Sequence, residues 1–174
     1  MMGYGGHDVF LIKKEAANLN QIVEAISRKG FIIAQEYISE ASKGDTRVIM
    51  VNGKPLELDG RYAAVTRLNK QDDVRNNVTA GGRPVKAKIT PKMLELVSQV
   101  GPKLAADGIF YAGVDIVGEK VIEVNVISAG NLYSASRLEE RNFATAVIER
   151  LERKVFYSSI YKNELTNKQL ATME

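Results

Sequence analysis

The 174 residues suffice for one ordinary domain with a sizeable core, and an apolar share of 45% beside a charged share of 26% excludes a disordered chain. The net charge of +3 is spread along the chain, which makes nucleic acid a weak partner and suits a small anionic ligand equally well. The absence of cysteine and the single histidine exclude disulfides, thiolate metal sites and a cysteine nucleophile, and leave a Ser-His-Asp triad or a zinc site to His7 alone. No stretch approaches membrane-spanning length and no signal-peptide core is visible, so a cytoplasmic protein without membrane contact is expected.

In chain order, Gly3, Gly5 and Gly6 open a flexible turn ahead of a short predicted strand, Val9 to Ile12. Such a turn can fold over phosphates or be a loose terminus. Leu19, Ile22, Val23 and Ile26 recur at helical spacing, with Asn18 to cap and Gly30 to stop, so 18–29 reads as a helix. Residues 31–37 read as a strand, 38–44 as a loop and 45–51 as a strand. Asn52-Gly53 and Asp59-Gly60 are hairpin turns, giving an antiparallel meander through 54–58 and 61–67. Residues 68–82 form a long polar stretch, either a functional loop or simple surface, with Arg75 and Asn77 its foremost candidates. A short strand over 83–89 precedes a helix that Thr90 caps, with Pro91 at its first position and Gly108 past its end. Residues 134–154 read as one long final helix, and 155–174 as a further helix or a frayed tail. The order of elements predicts an α+β domain with a largely antiparallel sheet and helices packed on one face.

The chemistry concentrates between Phe110 and Gly130. Two β-branched runs flank Gly118-Glu119-Lys120 and predict a hairpin. With a three-residue loop Val117 pairs with Val121, so Asp115 faces Glu123 and Gly113 faces Asn125 on one side of the sheet. A two-residue loop slips the register and separates the carboxylates. Two facing carboxylates repel unless a cation lies between them, and Asp, Glu and Asn oxygens suit Mg²⁺ with its waters and phosphates. The alternative is a solvated sheet face. The small residues after the strand, Ser128 to Asn131, lead toward a helix and offer backbone N–H groups to an anion.

Taken together, these motifs resemble the C-terminal, ATP-grasp part of bacterial glutathione synthetase, over roughly Gly3 to Leu151. G-Y-G-G at 3–6 is similar to the family's phosphate-covering loop. A-Q-E-Y-I at 34–38 is similar to the adenine hinge, which implies nucleotide contacts at Gln35, Glu36 and Tyr37. G-D-T-R-V-I-M at 44–50 places Asp45 near the ribose and Arg47 near the phosphates by the same resemblance. Arg67 and the run R-N-N-V-T-A-G-G imply that Arg67 and Arg75 serve catalysis and that Asn77 meets nucleotide or metal. V-D-I-V-G-E-K-V-I-E-V-N-V carries over Asp115, Glu123 and Asn125 as Mg²⁺ ligands, with Mn²⁺ as a substitute, and Ser128, Gly130 and Asn131 as the substrate turn.

The resemblance implies an ATP-dependent carboxylate–amine ligase that joins γ-glutamylcysteine to glycine through an acyl phosphate, and a tendency to assemble as a homo-oligomer. It divides the chain into an ATP-grasp part, 1–154, and a tail, 155–174. Two departures qualify it. The chain begins inside the family pattern, without the phosphate-contacting lysines and the N-terminal domain, so a fragment with weak ATP binding and little turnover is expected. After Asn125 it reads V-I-S-A-G-N-L, where members usually have proline after the serine, which opens the choice of amine. The alternatives are a ligase adding another amino acid, as glutamate-adding ligases do, and a noncatalytic nucleotide-binding module.

Overall fold

The computed structural model describes residues 8–68, 83–171 and 173. Its centre is strand β1, Asp45–Val51, buried at all seven positions. The short strand β2, Lys54–Pro55, pairs with it through the Asn52-Gly53 turn. Strands β3, Glu57–Leu58, and β4, Arg61–Tyr62, form a separate two-stranded ribbon around Asp59-Gly60. Both turns hold two successive residues at positive φ, +55 and +72, then +50 and +71, which is what Asn-Gly and Asp-Gly favour in tight hairpins. Strands β5, Ala64–Leu68, β6, Arg83–Lys86, β7, Tyr111–Val117, and β8, Lys120–Asn125, complete a sheet of order β6-β5-β1-β7-β8, antiparallel at every junction.

The expected α+β class and antiparallel sheet are what the structure has, but the helices cover both faces. Helix α2, Pro91–Ala106, packs Val97 and Leu104 on Val48, Met50, Ala64, Ala112, Val114 and Ile116. Helices α3, Leu132–Glu139, and α4, Phe143–Ile160, pack Ala135, Phe143, Ala146 and Val147 on Ile49, Val51 and Val65. Because β1 is apolar at both odd and even positions beyond Arg47, neither face can be left to water. Thr90 caps α2, its Oγ1 accepting from Met93 N at 3.2 Å.

Three expected elements are corrected. Residues 9–12 and 31–37 belong to no strand: Phe31 and Ile33 are exposed, and neither segment pairs with a strand edge among the described residues. They flank α1, Leu19–Ser27, which buries no residue. The single final helix is two. Glu140 turns to φ +54 after α3, and Asn142 starts α4 anew by accepting from Thr145 N at 3.1 Å. Helix α4 runs on to Ile160, so a division after Lys154 falls inside it. A last turn of helix, α5, Asn167–Leu170, follows, and the Met173 carbonyl accepts from Lys154 Nζ at 2.7 Å. No described helix is long and apolar enough to cross a membrane.

Candidate active site

The β7–β8 hairpin places Asp115 opposite Glu123 and Gly113 opposite Asn125, as expected, but by a different route. The loop has two residues, with Val117 paired to Lys120 and Gly118 at φ +56 leading the turn. The slip this should cause is undone by a bulge: Ile116 faces Val121, and Ile122 is the extra residue before Glu123.

The odd-numbered face of β1 continues the row. Asp45 lies opposite Arg67 on β5, and Arg47 lies opposite Asp115 on β7. Six predicted site residues therefore share one side of four strands. Arg47 grips Asp115 with two bonds, Nε to Oδ1 and Nη2 to Oδ2, both 2.7 Å. Arg67 donates Nε to Asp45 Oδ1 at 2.7 Å and Nη2 to Asp45 Oδ2, and reaches Asp115 Oδ2 at 2.7 Å. The Asn125 amide satisfies both of its neighbours when its oxygen accepts from Arg47 Nη2 at 2.9 Å and its nitrogen donates to Glu123 Oε1 at 3.0 Å.

Asp115 is 0% exposed, and Asp45, Arg47 and Arg67 are also buried. Ions so placed are tolerable only when paired and hydrogen-bonded, which forked guanidiniums achieve. Burial works against the Arg67 cation, but its bonds to Asp45 and Asp115 more than offset that and hold it charged. Asp45 is pushed above its ordinary range by burial, with Arg67 pulling it part of the way back. Glu123 keeps a solvent-facing side, yet the partial burial of its carboxylate and the nearby Asp115 charge both raise it.

Two residues that were not among the candidates shape the site. A Cβ on Gly113 would stand 3.2 Å from Arg47 Cδ, 3.3 Å from its Nε and 3.2 Å from Ala129 Cβ. Glycine gives Arg47 the room to lie across β7 beneath the following turn. The Tyr111 hydroxyl donates to the Ala129 carbonyl at 3.0 Å and pins that turn. Neither could be found from sequence, because each acts through residues distant along the chain.

The turn carries Ser128, Gly130 and Asn131. Gly130 N donates to Ser128 O at 2.9 Å, and Asn131 stands at φ +80 just before α3. Gln35, Glu36 and Tyr37 lie elsewhere, by the tip of the hairpin. Gln35 Nε2 donates to Ile122 O at 3.3 Å, and a cleft of about 550 Å³ opens between residues 36–40 and 117–120. Gly3, Gly5, Gly6, Arg75 and Asn77 lie outside the described residues.

The donor set can be tested against a divalent ion. Asp115 Oδ2 serves two guanidinium N–H groups and Oδ1 serves one, so Asp115 is chiefly the anchor of both arginines. Glu123, solvent-facing on one side and raised by the partial burial of its carboxylate and by the Asp115 charge, gains from any cation brought to it. Among the described residues no three His, Cys, Asp or Glu side chains form a metal cage. Glu123 and the amide oxygen of Asn125 are hard oxygen donors of the kind Mg²⁺ takes, with water and phosphate oxygens to complete the shell.

The model of the prokaryotic glutathione synthetase ATP-grasp domain matches residues 1–140. The glutathione synthetase of Gloeobacter violaceus is 38% identical over 128 residues, covering 72% of this chain and 38% of that protein. Those of Nostoc sp. and Brucella melitensis are 34% and 31% identical, covering 85% and 87% of this chain and 44% and 47% of theirs. The chain thus spans less than half the length of these relatives. With the match running across the charged sheet face and the turn beside it, the chain belongs to the prokaryotic glutathione synthetase ATP-grasp domain family.

Proposed function

We propose that the chain supplies the phosphate- and metal-facing part of an ATP-dependent ligase that joins the cysteinyl carboxylate of γ-glutamylcysteine to the amine of glycine — in short, a ligase of glutathione synthetase type. The observation that carries this reading is the row Arg67–Asp45, Arg47–Asp115–Glu123 with Asn125, arginines held rigid beside a carboxylate left open.

The reaction has two steps. An oxygen of the dipeptide's cysteinyl carboxylate attacks the γ-phosphorus of ATP, the bond to the β-phosphate oxygen breaks, and ADP leaves. The amine of glycine then attacks the acyl phosphate carbon, phosphate leaves, and the amine proton passes to solvent. Charge spreads over the phosphoryl oxygens in the first step, so fixed cations are what the chemistry needs. Arg47 and Arg67 supply them, and Asp115 fixes both guanidiniums before any ligand arrives. Glu123 and Asn125 would hold Mg²⁺, with Asp115 as the neighbouring charge, and the ion when bound would neutralise phosphate oxygens. Glu36 and Tyr37 border the cleft suited to the nucleotide base, with Gln35 beside them, hydrogen-bonded to β8, and Asp45 toward the ribose. Ser128, Gly130 and Asn131 form the turn beside Arg47 on which the second substrate is received. Gly3, Gly5, Gly6, Arg75 and Asn77 complete the proposal as phosphate-covering and substrate-side groups.

The test is ADP release by the protein that carries this chain. Release that requires both γ-glutamylcysteine and glycine supports the reading. Release with another amine and none with glycine replaces the substrate while keeping the ligase, an outcome that Ala129 and Asn131 in the turn make worth measuring. Absence of Mg²⁺-ATP binding refutes the reading entirely.

A further inference from the structure

At the end of β1 remote from Asp45, seven residues on and about 23 Å away by strand rise, lies a second polar cavity. Its volume is about 190 Å³, and Asn52, Arg150, Arg153 and Met173 wall it. Asn52 is the first turn residue after β1 and is 8% exposed. Its Nδ2 donates to the Met173 carbonyl at 3.4 Å, while its Oδ1 has no hydrogen-bond partner. Buried amide oxygens are rarely left so, and each invites a donor. Arg150 and Arg153 stand at i and i+3 on one side of α4. Arg150 Nη1 donates to Ala146 O at 3.0 Å, and among the described residues neither arginine has a carboxylate within ion-pair distance. Lys154 lies buried beside them and is already engaged, with Nζ on the Met173 carbonyl and 5.1 Å from the centre of the Phe110 ring.

Guanidiniums without carboxylates match carboxylate or phosphate oxygens, and the idle amide oxygen asks for an N–H or O–H. We propose that this cavity binds a compact anion that carries its own hydrogen donor: an α-amino acid through carboxylate and ammonium, or monohydrogen phosphate through P–O⁻ and P–OH. The anionic end rests on Arg150 and Arg153, and the donor closes on Asn52 Oδ1. The site lies apart from the sheet face assigned to ATP and stands or falls independently of that assignment.

The experiment is a ¹⁵N-resolved NMR titration of the full chain with glycine, inorganic phosphate, acetate and sulfate. The expected result is saturable shifts at Asn52, Gly53 and residues 150–153 with glycine or phosphate. Acetate and sulfate, which carry no donor at neutral pH, should bind about tenfold more weakly. Shifts with glycine alone assign an amino acid, with phosphate alone a phosphate, and with both the shared chemistry. Arg153→Gln, at an exposed position, should weaken binding about tenfold or more. Asn52→Gly keeps the turn, since φ is +55 there, and should abolish the preference over acetate. No saturable shift at these residues, equal binding of all four anions, unchanged affinity in Arg153→Gln, or an unchanged preference in Asn52→Gly would each overturn the proposal. Because the shifts are read residue by residue, binding of glycine or phosphate near Ser128 or Arg47 does not imitate them.

Discussion

Replacing Asp115 with asparagine should unfold the domain more readily than any change at Glu123. In the native sheet Asp115 takes three bonds from two buried guanidiniums, each 2.7 Å. Asparagine can still accept from one of them, but its NH₂ then faces other donors, and two buried cations lose their shared anion. Removing one partner of a buried ion pair costs about 3–5 kcal/mol. Against a typical stability of about 5–15 kcal/mol this is a large fraction. For a chain of this size it lowers the melting temperature by about 6–20 °C. The assay is urea unfolding of wild type, Asp115→Asn and Glu123→Gln, read as the midpoint at constant slope. Asp115→Asn should lose stability and, through displaced arginines, ATP affinity as well. Glu123→Gln, at the solvent-facing rim, should lose no stability. Should Asp115→Asn unfold within about 1 kcal/mol of wild type, the aspartate would not be what organises the arginines, and the account of the site would be wrong at its centre.

The remaining predictions are shorter. Gly113→Ala puts a methyl 3.2 Å from both Arg47 Cδ and Ala129 Cβ. It should cost about 1–3 kcal/mol in thermal unfolding and weaken ATP binding in the same variant. Gly44→Ala is worse placed, at φ +107 with the new Cβ running into the Arg67 backbone carbonyl, and should lose at least about 2 kcal/mol in the same assay. Tyr111→Phe releases the Ala129 carbonyl at a cost of about 1 kcal/mol. It should raise KM for the amine in the protein carrying this chain while leaving ATP affinity near wild type. Glu123 is raised above its ordinary value of 4.5, so the folded state holds its proton to higher pH than the unfolded state does. Stability therefore falls as pH rises from that value through the folded one. Glu123→Gln should flatten that fall, matching wild type below the window and exceeding it above, as midpoints measured across the acid-to-neutral range will show.

How far the sequence told the story depends on the kind of contact involved. The strand 45–51, both Asn-Gly-type turns and the Thr90 cap were legible because each rests on local chemistry. The Asp115–Glu123 facing was predicted from a three-residue loop and arises from a two-residue loop plus a bulge at Ile122. Two offsetting irregularities leave the same parity, and apolar alternation cannot tell them apart. Helices on both faces do have a signal in the sequence, Val48 and Met50 alternating with Ile49 and Val51 on β1. The split between α3 and α4 also had one, in Asn142 as a cap. Residues 31–37 look like a strand by composition, but a strand needs a neighbour, and none of the described edges pairs with it. That both arginines converge on Asp115 was not legible, since positions 47, 67 and 115 meet only through the register of three strands.

The most direct test is calorimetric titration of the chain with ATP, with and without Mg²⁺, in wild type and in Glu123→Gln. ATP binding that tightens with Mg²⁺ in wild type, and loses that response in Glu123→Gln, is the predicted result. Equal affinity with and without the ion in wild type, or a full Mg²⁺ response in the variant, would contradict the assignment of this sheet face to a metal-bound triphosphate.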